Sequence, residues 1–277
     1  MTHKLTMPMV MCLLAGAFYV IGSNPSTVEP SAVETLFVAN AEAAQPQGWG
    51  NIKGRVVWGG GEIPKREPLK VDADKAHCLE KGPLLSEEWV VNPKNKGVKW
   101  VFVWLDTDPN GQPVPVHPKL EKITEKQVFI DQPRCAFIPR SLAMRAGQEL
   151  VVKNSSPVAH NVNWSGINRF KNPGGNVVIP PKSSYTIKNL KPDKLPLMVA
   201  CNIHKWMRAR VAVFDHPYFA VTDENGAFEI KMAPAGKFRL KVYHDAVGWR
   251  NGAEGRFGEL ITIKAGETTD VGNLDIK

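Results

Sequence analysis

Turn-forming clusters recur along this chain, and no long amphipathic helix is visible between them. They are GGGEIPKREP at 59–68, PNGQPVPVHP at 109–118, NPGGN at 172–176, PP at 180–181, DENG at 223–226 and APAG at 233–236. Glycine interrupts regular structure by admitting positive φ, proline by fixing φ and removing a donor. Between the clusters lie short runs in which Val, Ile, Phe and Trp alternate with polar residues, the period of half-buried strands. GRVVWGG (54–60), VKWVFVWL (98–105), KQVFID (126–131), ELVVKN (149–154) and HNVNW (160–164) read this way. So do PLMVAC (196–201), RARVAVFD (208–215), GAFEIK (226–231), KFRLKVYH (237–244) and LITIKA (260–265). A few residues around 140–146 or 119–125 suit a helical turn. The expected fold class is all-β. With 43% apolar and 22% charged residues, the chain can build packed cores and is not of the disordered class.

The first 45 residues read apart from the fold. Lys4 precedes a nearly uncharged run, LTMPMVMCLLAGAFYVIG at 5–22, and Ala41-Glu42-Ala43 before Ala44 has the small-x-small form of a cleavage site. This is an export signal or, uncut, an N-terminal anchor at the short end of a membrane span. Both stay open, and either places the protein outside the cytoplasm, in a periplasm or cell envelope. Export sets the redox context. Of the four cysteines Cys12 leaves with the signal, and Cys78, Cys135 and Cys201 remain. In an oxidising compartment two should pair, and the odd one needs a purpose. The formal net charge is +8; residues 217–277 are nearly balanced, so the surplus lies upstream, where it shows no dense Lys/Arg cluster. Nucleic acid is therefore not an expected partner; the charge reads as steering towards an acidic protein or as plain solubility.

The chemistry concentrates in Cys201-Asn202-Ile203-His204-Lys205-Trp206-Met207, a C-x2-H-x2-M loop between two strand runs. Thiolate, imidazole and thioether form a soft donor set. Zinc prefers four Cys/His ligands and hard cations want oxygen, whereas two His and one Cys with a weak axial Met suit mononuclear electron-transfer copper. The second imidazole is His160, which opens HNVNW and can meet the loop if both lie at one end of a sandwich.

NSSPVAHNVNW (154–164) and CNIHKWMRARVAVFD (201–215) resemble the two ligand segments of the cupredoxin, or blue copper, family, with the short ligand loop of amicyanins rather than the longer one of plastocyanins. The resemblance covers 126–215 and implies a Greek-key sandwich holding one mononuclear type 1 copper. It implies His160, Cys201 and His204 as equatorial ligands and Met207 as the axial one. Asn154 would tie the two ligand loops together by hydrogen bonding, with Asn161 as a further match. His204 would be the more exposed imidazole and the electron port. Where the family often carries prolines, this chain has Ala159, Ile203 and Lys205. With Cys201 kept as a thiolate for metal, Cys78 and Cys135 become the disulfide candidates, the alternative being two separate buried thiols.

The flanks carry weaker resemblances. Residues 216–277 resemble a small transthyretin-like (prealbumin-like) or carboxypeptidase-regulatory-like β-sandwich. Residues 46–110 resemble the N-terminal extension of methylamine-utilisation-type, plastocyanin-like exported proteins. Four parts are thus expected: 1–45 as signal or anchor plus linker, 46–125 as a β segment packing on the cupredoxin, 126–215 as the copper domain, and 216–277 as the second sandwich. The function implied is exported type 1 copper electron transfer, cycling Cu(I) and Cu(II) with a redox protein such as an acidic c-type cytochrome or a periplasmic oxidoreductase. A membrane enters only through an uncleaved N-terminus. No Ser-His-Asp order, paired carboxylates or zinc-protease motif supports hydrolysis, and four protein ligands leave no position for substrate, so no enzyme is expected. Two other readings use the same residues: a copper carrier or chaperone, whose usual Met/His tracts are missing, and a structural surface β-sandwich module with a vestigial metal site.

Overall fold

The computed structural model of the protein describes residues 48–277; the expected signal or anchor at 1–45 lies outside the described residues. The described chain is all-β. Its N-terminal part supplies β1 (Trp49–Trp58), a single helical turn α1 (Lys75–Cys78) and β2 (Phe102–Leu105). A second turn, α2 (Pro118–Glu121), is followed by β3 (Gln127–Asp131), β4 (Ser141–Arg145), β5 (Glu149–Asn154), β6 (His160–Ser165) and β7 (Gly175–Ile179). Then come β8 (Ser183–Ile187), β9 (Leu197–Ala200) and β10 (Arg208–Phe214). The C-terminal part holds β11 (Phe219–Val221), β12 (Ala227–Pro234), β13 (Gly236–His244), β14 (Gly248–Trp249), β15 (Glu259–Ile263) and β16 (Thr268–Ile276).

Strands β3 to β10 form a two-sheet sandwich, one sheet in the order β4-β10-β9-β6-β7 and the other β3-β5-β8. The alternation in the sequence decides what faces inwards. In β10, Ala209, Val211 and Val213 enter the core between the sheets, with Ile130 of β3, Val152 of β5 and Val162 of β6. The valines and the isoleucine stabilise by about 1.5–3 kcal/mol each when fully buried, which holds the sheets together. One of the two expected helical turns is found, as α2; the other, around 140–146, is instead β4, which pairs parallel with β10.

A second sandwich has the sheets β12-β1-β16 and β11-β2-β13-β14, with β15 added on β13. Its core joins Ile52 and Val56 of β1 and Leu105 of β2 to Phe228, Leu240 and Leu274. The segment 46–125, expected to lie on the copper domain, therefore divides. Strands β1 and β2 hydrogen-bond into the C-terminal sandwich, β1 antiparallel to β12 and parallel to β16. The stretch between them packs on the first sandwich through Val71, Cys78 and Leu84. The physical reason is an unmet sheet: 216–277 leaves gaps between β12 and β16 and between β11 and β13 that only β1 and β2 fill. The Asn225-Gly226 turn is where β1 comes closest. Gly226, at φ +71°, leaves no space for a Cβ, which would lie 2.1 Å from the Val56 carbonyl oxygen.

Strand β2 is buried along its whole length, which explains its unbroken apolar run. Val103 and Leu105 face the second core; Phe102 and Trp104 face a seam against Ala212 and Phe214 of β10. Asp245 closes the seam's edge by accepting from Arg140 at 2.9 Å and from Arg210 at 2.5 Å.

Candidate metal centre

The topology brings the expected ligands to one end of the first sandwich. Strands β6 and β9 are antiparallel neighbours, so the start of one and the end of the other coincide, with Asn163 opposite Ala200. His160 is the first residue of β6, and Cys201 follows the last residue of β9. Strands β9 and β10 pair Ala200 with Arg208, which forces residues 201–207 into a closed arch. Two backbone bonds tighten it: Met207 N–H donates to the His204 carbonyl (2.9 Å) and Cys201 N–H to the Met207 carbonyl (3.2 Å).

Within this arch two imidazoles converge on one sulfur. Nδ1 of His160 lies 3.9 Å from Cys201 Sγ, and Nδ1 of His204 lies 3.8 Å from it. The rings are 4.5 Å apart between centroids. All four expected ligands are buried: His160 and His204 are 0% exposed, Cys201 and Met207 2%. Cys201 is the free cysteine among the described residues. Burial pushes its thiol up, but the His160 and His204 imidazoles and the Asn161 and His204 amides together outweigh burial and bring it down to about 6. Burial pulls His204 down, and its contacts with Cys201 and Asp74 more than reverse that, so it titrates above the usual histidine range.

The spacing tests whether these residues suit a metal. Ligand bonds of about 2.05 Å to nitrogen and 2.3 Å to sulfur, opened to a trigonal angle, put N and S about 3.8 Å apart. The two N–S separations observed, 3.9 and 3.8 Å, agree with that value. The three donors fit a single first-row ion, and Met207 closes the same arch from the core side.

Around the donors the structure redistributes two expected roles. Asn161 ties β6 to the ligand loop: its Oδ1 accepts from the Asn202 amide (2.7 Å) and the Ile203 amide (3.2 Å), and its backbone N–H donates to Cys201 Sγ at 3.5 Å. Asn154, expected to join the two loops, instead braces the approach to His160. Its Nδ2 donates to the carbonyls of Val158 and Ile179, each at 2.9 Å, and its Oδ1 accepts from Ser156. The exposed port expected at His204 is also corrected. The turn α1 covers that ring, and Asp74 Oδ2 stands 2.9 Å from its Nε2. The cap is fastened by a disulfide between Cys78 and Cys135, so these two cysteines are bonded. Trp206 flanks the same ring at 5.2 Å and donates its indole N–H to the Cys135 carbonyl at 3.0 Å.

Asp74 is the site residue that sequence reasoning missed. A histidine that ligates through one nitrogen commonly gives its other N–H to a carboxylate, which fixes the ring and raises its basicity. The one available signal was its place four residues before Cys78, itself a disulfide candidate.

No family model matches this chain, and no curated protein matches it. Among solved structures, a reduced mutant amicyanin is similar at 15% identity with a TM-score of 0.29, covering 34% of this chain and 87% of the amicyanin. A second mutant amicyanin in the Cu(I) form gives 14% identity and a TM-score of 0.28 over the same shares. A novel purple cupredoxin from Nitrosopumilus maritimus is similar at 16% identity and a TM-score of 0.27, covering 31% of this chain and 99% of its own.

Proposed function

We propose that the sandwich of β3 to β10 holds one copper ion between His160, Cys201, His204 and Met207, and that the protein is an exported electron carrier. The convergence of two imidazole Nδ1 atoms on a buried, acidified thiol carries this reading. When bound, copper supplies one-electron chemistry between Cu(I) and Cu(II). Cys201 provides the thiolate, whose charge the surrounding amides already favour. His160 and His204 would add neutral nitrogen donors, and Met207 of the same arch would add a thioether sulfur. Asp74 keeps the His204 proton on Nε2, so that Nδ1 faces the sulfur. His160 Nε2 is buried without a hydrogen-bond partner among the described residues. Leaving such a group unpaired costs about 1–3 kcal/mol, a cost that coordination at Nδ1 would offset.

Full burial of the donors keeps water away, and four protein ligands leave no coordination position for a substrate, which favours a carrier over an enzyme. Export is supported by the bonded Cys78–Cys135 pair, since such bonds persist in oxidising compartments. The test is redox cycling in the presence of a chelator. Copper-loaded full-length protein should be reduced by ascorbate and reoxidised repeatedly while a Cu(I) chelator extracts none of the metal. Rapid transfer of copper to the chelator would favour the carrier-chaperone reading instead.

A further inference from the structure

With His204 sealed under α1, the partner needs another way in. Beside the ligand arch lies a surface cavity of about 290 Å³ whose wall includes both Trp206 and Met207. Four arginines line it, Arg66, Arg134, Arg140 and Arg208, against a single carboxylate, Glu87. Its apolar rim is unusual for a surface: Leu85 is 37% and Ile138 53% exposed. Apolar patches ringed by charge mark places where proteins associate.

We propose that this groove, and not the face over His204, docks the redox partner, an acidic protein presenting an apolar tip ringed by carboxylates. The inference rests on the copper reading above and adds to it the place of contact. Arg208 is exposed and makes the encounter electrostatic, while Arg66, also exposed, is oriented by the Ser86 carbonyl at 2.8 Å and lies 3.9 Å from Glu87, so its charge is partly countered. Arg140 is already held by Asp245, and Arg134 by the Gly82 carbonyl at 3.0 Å, so those two shape the groove. Trp206 forms the inner end of the path, its ring edge-on to His204. One electron crosses per encounter: the loaded site is oxidised as the partner is reduced, or the reverse, and no bond or proton changes hands.

The experiment uses isotopically labelled full-length protein and an acidic c-type cytochrome as probe, at low and high ionic strength. Binding is followed by chemical shifts, independently of electron transfer. The Trp206 indole and the amides of Leu85 and Arg208 should move at low salt. Arg66→Glu combined with Arg208→Glu should weaken association by about tenfold or more and flatten its salt dependence. Leu85→Ser should weaken it without changing the salt dependence. Val178→Glu, on the exposed face beyond Asn161, should do neither. Retention of the visible copper spectrum in each variant shows that the fold and the site are intact. Shifts centred on Val178 and Ile203, equal binding by the charge-reversed protein, or no association by the wild type would each overturn the docking site. A wild type that binds the cytochrome in the groove yet forms no blue copper site would instead overturn the copper reading alone.

Discussion

Asp74 adopts a left-handed backbone conformation, φ 45° and ψ 38°, which aspartate tolerates better than most residues. That geometry delivers its carboxylate to His204 across 130 positions of sequence. A negative charge on a ligand's far nitrogen stabilises the more positive metal state. Asp74→Asn should therefore raise the copper potential by about 60 mV, a tenfold change in a one-electron equilibrium; an unchanged or lowered potential in a redox titration would contradict the role. Cys201 gives a second check. In metal-free protein its thiolate absorbance should appear as pH rises through about 6, well below the value near 8.5 of a free thiol. A midpoint above 8 would mean that the imidazoles do not act on it. The ligands themselves were legible, because C-x2-H-x2-M is a rare set of soft donors. Asp74 was not, since an exposed acid in an irregular stretch looks like any other.

Among the elements, the short strands were readable wherever alternation was clean. Strand β4 was not. Its sequence, SLAMR, is made mostly of good helix formers, and pairing with β10 overrides that preference. Strand β16 escaped for a different reason: Gly272 at φ +69° and a shift in register against β1 break its period. The cap over His204 is likewise an element-scale device, a single turn too short to hold itself and secured by a disulfide 57 residues apart in sequence. Replacing Cys78 and Cys135 by serine should cost about 2–4 kcal/mol of stability in denaturant unfolding. It should also open the His204 edge to solvent while the other ligands stay in place. The ligand loop depends on Asn161 in the same way. Asn161→Ala should destabilise by about 1–3 kcal/mol, because the Asn202 and Ile203 amides lose their shared acceptor while the backbone bond to the Cys201 sulfur remains. Asn154→Ala should leave the 201–207 arch intact.

At the scale of the whole molecule, the two sandwiches are built from an interleaved chain. Strands β1 and β2 belong to the C-terminal sandwich; of the stretch between them, Val71, Cys78 and Leu84 pack in the core of the first sandwich, and Val98 and Val101 in that of the second. Parallel pairing of β1 with β16 joins the two ends of the described chain, a pairing that no local pattern encodes. Fold class was thus legible from periodicity, whereas the exchange of strands between sandwiches was not. A buried histidine of the second sandwich adds an acid sensitivity. Burial holds His244 at about 4, against the ring of Trp89. A histidine depressed in the folded state favours folding above its unfolded value, near 6.5, and that contribution is lost as pH falls towards 4. Stability should drop by on the order of 3 kcal/mol over that window, seen as a falling denaturation midpoint; a flat profile between pH 6.5 and 4 would contradict it.

The most direct measurement is the visible absorption and EPR spectrum of the full-length protein after one equivalent of Cu(II). An intense thiolate-to-copper charge-transfer band with a narrow parallel hyperfine splitting is expected, both lost in Cys201→Ala. A colourless protein, or ordinary tetragonal Cu(II) signals that survive Cys201→Ala, would contradict a copper centre built on His160, Cys201, His204 and Met207.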